Sequence, residues 1–532
     1  MTQPLPDQIE IDIGRDEPDD DEHVRRCVLR RLRCPSDALG SLSILRRAID
    51  ARGGRIRFHL LIGLDPALSA RQSDPGTLPR SVSMPARVAI VGDGPAGLFA
   101  AYELARRGIA SIVFDRGKTV QPRRADLVSV LRRGHVDLDS NYCFGEGGAG
   151  TYSDGKLYTR ATKRGDVREV LAILAAHGAP DRILVDARPH IGSNRLPKVV
   201  SALRERLEQV GVEFRFGQRV TGIEFEPAAG NRRVAALRLR SGETVAARAV
   251  VLATGHSARD VYTWLHEAGV RLEAKPFAVG VRIEHPQALI NRIQYGGLAE
   301  HPRLPNADYR LAFTEQERGV FSFCMCPGGF IVPAATESDG VVVNGMSLSR
   351  RDSPFANSGM VVGVDPSDLA TAGYSGPLAG LAYQRALERA AYVAGGGGFR
   401  APASRVTDFM QSRVSKDLPK TSYRPGIAAF DLAQVLDAGG VPIAQRLRRA
   451  LAEFGRQMRG YVTDSAVLIG VETRTSSPVR VPRDTATLQH PDVHGLYPCG
   501  EGGGHAGGIV SAAMDGIRVA QAIASDLRQP EA

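Results

Sequence analysis

Val88-Ala-Ile-Val-Gly-Asp-Gly-Pro-Ala-Gly97 decides the fold of this chain, together with the apolar run Ser111-Ile-Val-Phe-Asp115 that follows it. The pattern predicts a strand, a glycine turn, a helix and a second strand that ends in an acidic residue. In such a unit Gly92 allows the sharp turn, Gly94 leaves room for a pyrophosphate beside the backbone, and Gly97 lets helix and strand pack closely. The stretch therefore predicts a dinucleotide-binding α/β unit.

The helix predicted from Pro95 to Arg107 supplies the charge complementarity that such a ligand needs. Pro95 and Ala96 open this helix, and its free N–H groups and positive dipole end attract phosphate. Asp115 lies where a carboxylate accepts hydrogen bonds from the hydroxyls of an adenosine ribose.

The composition is that of an ordinary globular protein of two or three domains, with 532 residues, 43% hydrophobic and 24% charged. No apolar run reaches the roughly 18 residues of a membrane span. Residues 1–21 are acidic and contain proline, unlike a secretory signal, so the cytoplasm is the expected compartment. The six cysteines are scattered without the spacing of a disulfide framework or a zinc site, and no metal is predicted.

The positive net charge comes from arginine. The formal net charge is +10, only seven of the 68 basic residues are lysine, and ten arginines fall between Arg25 and Arg57. This cluster is interpreted as a solvated face of a small domain, and the alternative is a docking surface for RNA, an acidic partner or an acidic substrate. Nucleic acid is not the expected partner.

The order of predicted elements divides the chain into five segments. Strand Val24–Leu32, helix Leu39–Asp50 and strand Ile56–Leu61 form a small α/β unit, and the prolines within 65–85 indicate a linker. The segments are a disordered acidic N-terminus (1–22), the small α/β unit with its linker (23–84), the first part of the dinucleotide domain (85–270), a mixed α+β second domain (271–480) and the C-terminal part of the dinucleotide domain (481–532).

The segments after the fingerprint distinguish FAD from NAD. A β-meander and the buried strand Ala249–Ala253, which ends at Thr254-Gly255, replace the repeated βα units of an NAD domain. The glycine loop Gly500–Gly508 can lie flat beside a ring system, and the helix from Ile509 points its positive end at a flavin edge. Glu501 is a candidate for the ribityl chain, and a purely structural turn is the alternative interpretation. This order resembles the glutathione-reductase-like FAD flavoproteins.

The chain also contains five long motifs, namely Phe144–Leu157, Ala253–Asp260, Phe323–Gly329, Gly470–Pro478 and Gly500–Ile509. Together they resemble those of the uncharacterised bacterial FAD-dependent, or NAD(FAD)-utilising, dehydrogenases, over nearly the whole chain. The resemblance implies FAD and a Rossmann-like α/β fold of the glutathione-reductase type. Asp115 stands where such flavoproteins often have Glu, and either carboxylate can hold the ribose. The predicted cofactor-binding residues are Gly92, Gly94, Pro95, Ala96, Gly97, Asp115, Arg116, Gly148, Thr151, Val220, Thr254, Gly255, Gly500, Glu501, Gly508 and Ile509.

Lys156, Cys324, Cys326 and His505 are the candidate catalytic residues. Lys156 belongs to a glycine-rich segment that either lines the flavin or is a structural loop. Cys324 and Cys326 would share one face of a strand and present two thiols, and the alternative is small apolar packing residues. His505 is favoured over His256 as a proton donor because its loop is expected to touch the flavin ring.

Further polar residues remain open between two interpretations. Arg282, Glu284 and His285 alternate along one strand, and Glu472 and Arg474 stand on another. They line a substrate cavity or form solvated or salt-bridged strand faces.

These features predict an FAD-dependent oxidoreductase that transfers a hydride through flavin N5 to or from an unidentified small molecule. No second glycine fingerprint follows a strand, so NADH or NADPH, if it donates electrons, binds transiently without its own Rossmann domain. The alternatives are an FAD-dependent monooxygenase and a flavoprotein that docks to RNA or an acidic partner through its arginine-rich unit. The sequence leaves the substrate, the electron acceptor and the oligomeric state open.

Overall fold

The computed structural model describes residues 5–50, 56–82, 88–159, 161–228, 231–315 and 317–528, so the predicted domain limit at 84/85 lies outside them. No helix in these ranges combines the length and the apolarity needed to cross a membrane. The helices are α1 (Asp21–Leu32), α2 (Pro66–Ser73), α3 (Pro95–Arg106), α4 (Val120–Arg133), α5 (Val167–Ala176), α6 (Leu196–Gln209), α7 (Arg259–Glu267), α8 (Gln287–Tyr295), α9 (Pro366–Thr371), α10 (Ala379–Gly395), α11 (Val406–Met410), α12 (Leu432–Leu436), α13 (Ile443–Gln457) and α14 (Ile509–Asp526). The strands are β1 (Gln8–Gly14), β2 (Ser43–Asp50), β3 (Arg57–Gly63), β4 (Val88–Val91), β5 (Ser111–Asp115), β6 (Glu213–Phe216), β7 (Val220–Ala228), β8 (Asn231–Leu239), β9 (Thr244–Ala246), β10 (Ala249–Leu252), β11 (Glu273–Ala274), β12 (Phe277–Pro286), β13 (Ala312–Glu315), β14 (Arg318–Cys326), β15 (Gly329–Pro333), β16 (Val343–Ser347), β17 (Phe355–Val364), β18 (Ala401–Arg405), β19 (Ile427–Ala429), β20 (Val467–Glu472), β21 (Val479–Arg480), β22 (Val493–His494) and β23 (Leu496–Pro498).

A parallel sheet of five strands, in the order β23-β10-β4-β5-β6, carries the fingerprint. Val88 and Ile90 of β4 pack in one core with α3, α6 and α14, whereas Ala89 and Val91 pack in a second core with β7, β8 and α7. Covering on both faces explains why this strand is uniformly apolar. The late strand β23 pairs with β10, so the chain returns to this sheet near its C-terminus, as predicted.

A seven-stranded sheet, in the order β13-β14-β17-β12-β20-β18-β19, forms the core of the second domain. Helices α10 and α13 pack against it through buried side chains such as Tyr383 and Phe454. Strand β12 is buried at every position except Pro286. Polar residues on β12 and its neighbours therefore lie inside the protein, and β14 places Cys324 and Cys326 beside β17.

Residues 1–22 were predicted to be disordered, and this prediction is wrong over the described part. Gln8–Gly14 forms β1, which pairs with β3 in a sheet of order β1-β3-β2. Ile11 and Ile13 are buried in a small core with Phe58 and Leu60. This period-two apolar pattern outweighs the acidic composition that suggested disorder.

Two further elements of the small unit differ in type from the prediction. Residues 24–32 belong to helix α1 rather than a strand, because Val24 and Val28, spaced four apart, are both buried and the Asp20 side chain accepts the His23 N–H at the helix start. Residues 43–50 form strand β2 rather than part of a helix, and pair with β3. Helix α2 interrupts the predicted linker, and the Asp65 side chain caps it.

The small unit docks against both larger domains. The Arg47 N–H donates to the Val185 carbonyl at 2.7 Å. The guanidinium groups of Arg47 and Arg303 lie 5.6 and 4.6 Å from the centre of the Phe58 ring. Residues 1–64 contain eleven arginines and eleven Asp or Glu residues, and this balance disfavours a polyanion-binding role for the arginine cluster.

Candidate functional site

Backbone atoms occupy the space beside Gly92 and Gly97. Gly92 has a φ of 105°, and a Cβ atom there would lie 2.4 Å from the Ala253 carbonyl oxygen. A Cβ atom on Gly97 would lie 1.9 Å from the Gly92 carbonyl oxygen. This geometry agrees with the predicted sharp turn and with the close packing of helix and strand.

Gly94, Gly255 and Gly508 differ because the space beside their backbones is open. A Cβ atom on Gly94 would meet the Gly148 Cα at 4.0 Å, and one on Gly255 would meet nothing within 4 Å. At Gly508 the nearest atom would be the Ser511 hydroxyl oxygen at 3.9 Å. Since α3 begins beside the first of these glycines and α14 beside the third, the site fits a dinucleotide that approaches bare backbone at two helix N-termini.

Contacts between the glycine motifs bring them to one region. A Cβ atom on Gly150 would lie 3.6 Å from Pro95 and 3.4 Å from Ile509, so its loop lies between the N-termini of α3 and α14. A Cβ atom on Gly502 would lie 2.8 Å from the Gly255 nitrogen. The predicted cofactor motifs at 148–151, 254–255 and 500–509 therefore surround the fingerprint.

The Asp115 carboxylate is buried at the end of β5 and is oriented by the backbone. It accepts hydrogen bonds from the N–H groups of Asp93 at 3.1 Å and Gly117 at 2.8 Å. Val220 begins β7 nearby, since the Gln218 N–H donates to the Asp115 carbonyl. Each carboxylate oxygen keeps a second acceptor position, and the ribose contact of Asp115 stays a prediction.

Arg116 is held by protein partners. Its guanidinium lies 4.5 Å from the centre of the Phe144 ring and forms ion pairs of 2.8 Å with both Asp139 and Asp260. These contacts fix the segment after β5. A role for Arg116 toward the cofactor stays a prediction.

The loop with Gly148 and Thr151 is held by Arg123, which the sequence did not single out. Arg123 is fully buried and donates to the carbonyl groups of Gly148 at 2.9 Å and Glu146 at 2.8 Å. The Thr151 hydroxyl donates to the same Glu146 carbonyl at 2.8 Å. The loop that faces α3 is therefore fixed from within the protein.

Asp93 and Glu146 are two buried acids beside the fingerprint that were also missed. Asp93 Oδ2 accepts the Gly147 N–H at 3.3 Å, and Oδ1 has no hydrogen-bond partner among the described residues. Burial and the nearby carboxylates of Asp115 and Glu146 raise the pKa of Asp93 well above its usual value, so this site favours the protonated carboxyl group. The available signal was an acidic residue at a variable position of the glycine fingerprint.

The C-terminal glycine loop is anchored by Asp515. This carboxylate accepts the Gly500 N–H at 2.8 Å and pairs with Arg483 at 2.6 Å. His505 Nε2 donates to the Val481 carbonyl at 2.9 Å, and burial with the nearby Arg483 lowers the pKa of His505 to about 4. His505 is therefore a neutral residue that ties the loop to the strand region before it.

Cys324 and Cys326 do not share a face of β14, so this prediction is wrong. The pairing with β17 shifts between Phe323 and Cys326, and Cys324 has a left-handed backbone with a φ of 44°. This bulge leaves Cys324 exposed and Cys326 fully buried. The Cys326 thiol donates to the Cys324 carbonyl at 3.2 Å.

The Lys156 ammonium lies against the buried thiol. It is 3.5 Å from Cys326 Sγ and 2.9 Å from the Asp154 carboxylate. Although burial opposes the charge, Cys326 and Asp154 raise the pKa of Lys156 above its ordinary value. Asp154 also pairs with Arg351 at 2.6 Å. The structure thus joins two of the predicted motifs, the 144–157 segment and the Cys324–Cys326 strand.

The polar strand residues form buried ion pairs. Arg282 pairs with Glu472 at 2.7 Å. Arg259 and Arg474 both bind Glu388, at 2.7 and 3.0 Å. These contacts favour the salt-bridged interpretation of the strand faces.

Four motif residues are at least partly exposed to solvent. They are Lys156, His256, Cys324 and Glu501. Burial lowers the pKa of His256 to about 4 and raises the pKa of Glu501 to about 7. Each of these residues belongs to a different one of the five motifs.

Models of known families match most of the chain. A family described as FAD-dependent protein, C-terminal domain-like, matches residues 276–475, and one described as FAD dependent oxidoreductase matches residues 189–338. An FAD binding domain matches residues 85–131, which contain the fingerprint. The small N-terminal unit matches a domain of unknown function over residues 6–64.

An uncharacterized protein of Clostridium beijerinckii is 40% identical to this chain over 534 residues, which is 96% of this chain and 98% of the relative. Three solved structures are more distant. A triple mutant of the flavin-dependent brominase Bmp2 is 13% identical over 84% of this chain and 81% of its own, with a TM-score of 0.35. The tetracycline destructase Tet(51) is 10% identical over 84% and 82%, with a TM-score of 0.33. CtdE in complex with FAD is 12% identical over 83% and 84%, with a TM-score of 0.30.

Proposed function

Since this chain belongs to the family of FAD-dependent proteins that includes the uncharacterized protein of Clostridium beijerinckii, we propose that it oxidises or reduces a small organic molecule by hydride exchange at flavin N5. FAD is its cofactor and the chain is an FAD-dependent oxidoreductase. One observation supports the finer proposal. Four of the motifs each contribute one solvent-accessible side chain with acid–base or nucleophilic chemistry, namely Lys156, His256, Cys324 and Glu501.

The glycine motifs hold the cofactor in this proposal. The open backbone at Gly94 and the N-terminus of α3 bind the pyrophosphate, and Asp115 binds the adenosine ribose. The loop that ends at Gly508 and the N-terminus of α14 face the flavin end, with Glu501 beside the ribityl chain. The 148–151 loop closes the site between the two helices.

The candidate catalytic residues divide into two kinds. Cys324 and Lys156 belong to the wall of the site, where the thiol and the ammonium can contact a substrate. Cys326 and His505 are positioning residues, because Cys326 is buried beneath Lys156 and His505 is bound to the Val481 carbonyl. No redox cycle between the two thiols is proposed, since they do not share a face of β14.

Anaerobic reduction of the bound flavin tests this proposal. The FAD-loaded protein is mixed with NADH, NADPH and a panel of small organic acids, alcohols and amines, and loss of the visible flavin absorbance is recorded. We expect one class of donor to reduce the flavin and Lys156→Met to slow that reduction. Lys198→Met, an exposed lysine on α6, is the matched control and is expected to behave as the wild type.

Two outcomes would contradict the proposal. A colourless protein that cannot be reconstituted with FAD removes the cofactor assignment. Substrate-stimulated oxygen consumption with incorporation of oxygen into the product identifies a monooxygenase instead. Measuring oxygen consumption together with oxygen incorporation into the product therefore separates a monooxygenase from an enzyme that exchanges only a hydride.

A further inference from the structure

The charges around Lys156 do not balance. Lys156 and Arg351 share a single carboxylate, Asp154, at 2.9 and 2.6 Å. Next to them Arg282 is matched by Glu472 alone. His190 adds no charge at neutral pH, since burial and Arg351 lower the pKa of His190 to about 4. This group of contacts therefore carries one positive charge in excess.

The neighbouring cysteines add no carboxylate to this group. The Cys326 thiol donates to the Cys324 carbonyl at 3.2 Å. The same sulfur accepts from Lys156 at 3.5 Å. Among the described residues, Asp154 is the carboxylate that pairs with Lys156 and Arg351.

Charges inside proteins are paired, since an unpaired buried charge is costly. The side chain of Lys156 is 35% exposed, whereas that of Asp154 is 4% exposed, so Lys156 is the more accessible of the two partners. Asp154 and Cys326 are the partners found for the ammonium in the described part of the chain, and they use two of its three N–H donors. The third donor remains for a ligand.

We propose that Lys156 binds the carboxylate of the substrate, so that this oxidoreductase acts on a small organic anion. The inference rests on the proposed function and names its substrate class. Cys324 lies beside the bound anion in this arrangement, because its carbonyl accepts from Arg282 at 3.0 Å and from the Cys326 thiol that touches Lys156. An anionic group of FAD has the same chemistry as a substrate carboxylate, and the experiment must separate the two sources.

Alkylation of Cys324 provides a readout that needs no flavin chemistry. The Cys324 thiolate attacks the CH2 carbon of iodoacetate or iodoacetamide and displaces iodide, and the two reagents differ only in a carboxylate against a neutral amide. The ratio of their rate constants at Cys324 therefore reports the local affinity for an anion. The rates are measured by peptide mass spectrometry, with the other five cysteines as internal references. In Lys156→Met we expect the ratio to fall about tenfold, whereas Lys156→Arg and Lys198→Met keep a ratio near that of the wild type.

The FAD-loaded and FAD-free proteins are compared in the same assay. A preference for iodoacetate in both forms supports a substrate site. A preference that disappears when FAD is bound shows that the cofactor neutralises Lys156, and this overturns the proposal. An unchanged ratio in Lys156→Met, or a Cys324 that neither reagent modifies, also overturns it.

Flavin difference spectra give a second measurement on the FAD-loaded protein. Formate, acetate and benzoate are titrated, with benzamide as the neutral counterpart of benzoate. We expect at least one anion to perturb the flavin spectrum and to bind about tenfold more weakly to Lys156→Met. No perturbation by any of the three anions would overturn the proposal. Neither the alkylation ratio nor the difference spectra depend on hydride exchange. The proposed anion site at Lys156 and the proposed hydride exchange are therefore tested independently.

Discussion

A Cβ atom on Gly97 would lie 1.9 Å from the carbonyl oxygen of Gly92, the residue at which the chain turns from β4 toward α3. The two glycines therefore fix the packing of helix on strand. Gly94, between them in sequence, has open space where its side chain would be. The same short stretch thus contains two glycines that the fold requires, Gly92 and Gly97, and one glycine, Gly94, whose backbone a ligand can approach.

We expect Gly97→Ala and Gly94→Ala to fail in different ways. The alanine methyl at Gly97 meets backbone that cannot move aside, so we expect a loss of about 3 kcal/mol or more in the free energy of unfolding of the FAD-free protein. At Gly94 the methyl has room, and the unfolding free energy is expected to change by less than about 1 kcal/mol. FAD affinity should nevertheless fall about tenfold or more, because the methyl fills the phosphate approach.

Urea titration and FAD fluorescence quenching measure the two effects separately. Gly108→Ala is a useful control, since a Cβ atom there meets nothing within 4 Å and the residue lies at the far end of α3. Its φ of 73° makes the alanine strained, so a modest loss of stability with unchanged FAD affinity is expected. Equal FAD affinity in Gly94→Ala and the wild type would contradict the assignment of the phosphate site.

Asp93 is expected to make the protein less stable as pH rises. Burial and the carboxylates of Asp115 and Glu146 raise its pKa, so the folded state holds this proton to a higher pH than the unfolded chain, which releases it above about pH 4. Unfolding free energy therefore falls as pH rises from about 4 to the raised pKa. Asp93→Asn removes this dependence, and we expect the variant to gain stability relative to the wild type as pH rises above about 4.

The measurement is a set of urea titrations of the FAD-free protein across this pH range. Asp352→Asn, at an exposed aspartate, is the matched control and should run parallel to the wild type. Parallel curves for Asp93→Asn and the wild type would show that the pKa of Asp93 is not raised in the folded state.

The Arg282–Glu472 pair lies inside the seven-stranded sheet, and its space is provided by glycine. A Cβ atom on Gly345 would lie 2.4 Å from the Arg282 guanidinium, and one on Gly359 would lie 2.5 Å from the Glu472 carboxylate. Breaking a buried pair leaves an uncompensated charge, so we expect Arg282→Met to cost about 3–5 kcal/mol of unfolding free energy. The double variant Arg282→Met/Glu472→Leu should cost less than the sum of its single changes.

A double-mutant cycle by urea denaturation measures this coupling. Arg385→Met, which breaks a half-exposed contact with Glu337, serves as the control and should cost less than about 1 kcal/mol. Additive effects of the Arg282 and Glu472 changes would mean that the two charges do not stabilise each other.

Local patterns predicted the dinucleotide domain well. Helix α3 (Pro95–Arg106) lies within one residue of the predicted range Pro95–Arg107, and α14 begins at Ile509 as predicted. The fingerprint glycines could be interpreted one by one because their roles follow from steric rules within a few residues. In the small N-terminal unit the segments are short, and acidic composition obscured the alternation of Ile9, Ile11 and Ile13.

The chemistry of the site was less accessible to sequence reasoning. Lys156 and Cys326 are 170 residues apart, and Arg282 and Glu472 are 190 apart. The spacing of residues along the sequence does not reveal contacts between residues so far apart in the chain. The left-handed backbone at Cys324 was equally hidden, because a bulge depends on how β14 pairs with β17 rather than on its own alternation.

His285 is expected to weaken the protein in acid. Its side chain is fully buried and Nε2 donates to the Tyr461 carbonyl at 2.8 Å, and burial lowers the pKa of His285 to about 4. The unfolded chain takes up a proton below about pH 6.5, so it binds more protons than the folded state between pH 6.5 and 4. Unfolding free energy therefore falls with decreasing pH across this window, by up to about 3 kcal/mol from this residue. His285→Gln removes that part of the fall, whereas His266→Gln, at an exposed histidine, should not change it. Urea titrations of the FAD-free protein at several pH values measure the difference, and a fall of equal size in His285→Gln and the wild type would show that His285 is protonated in the folded protein.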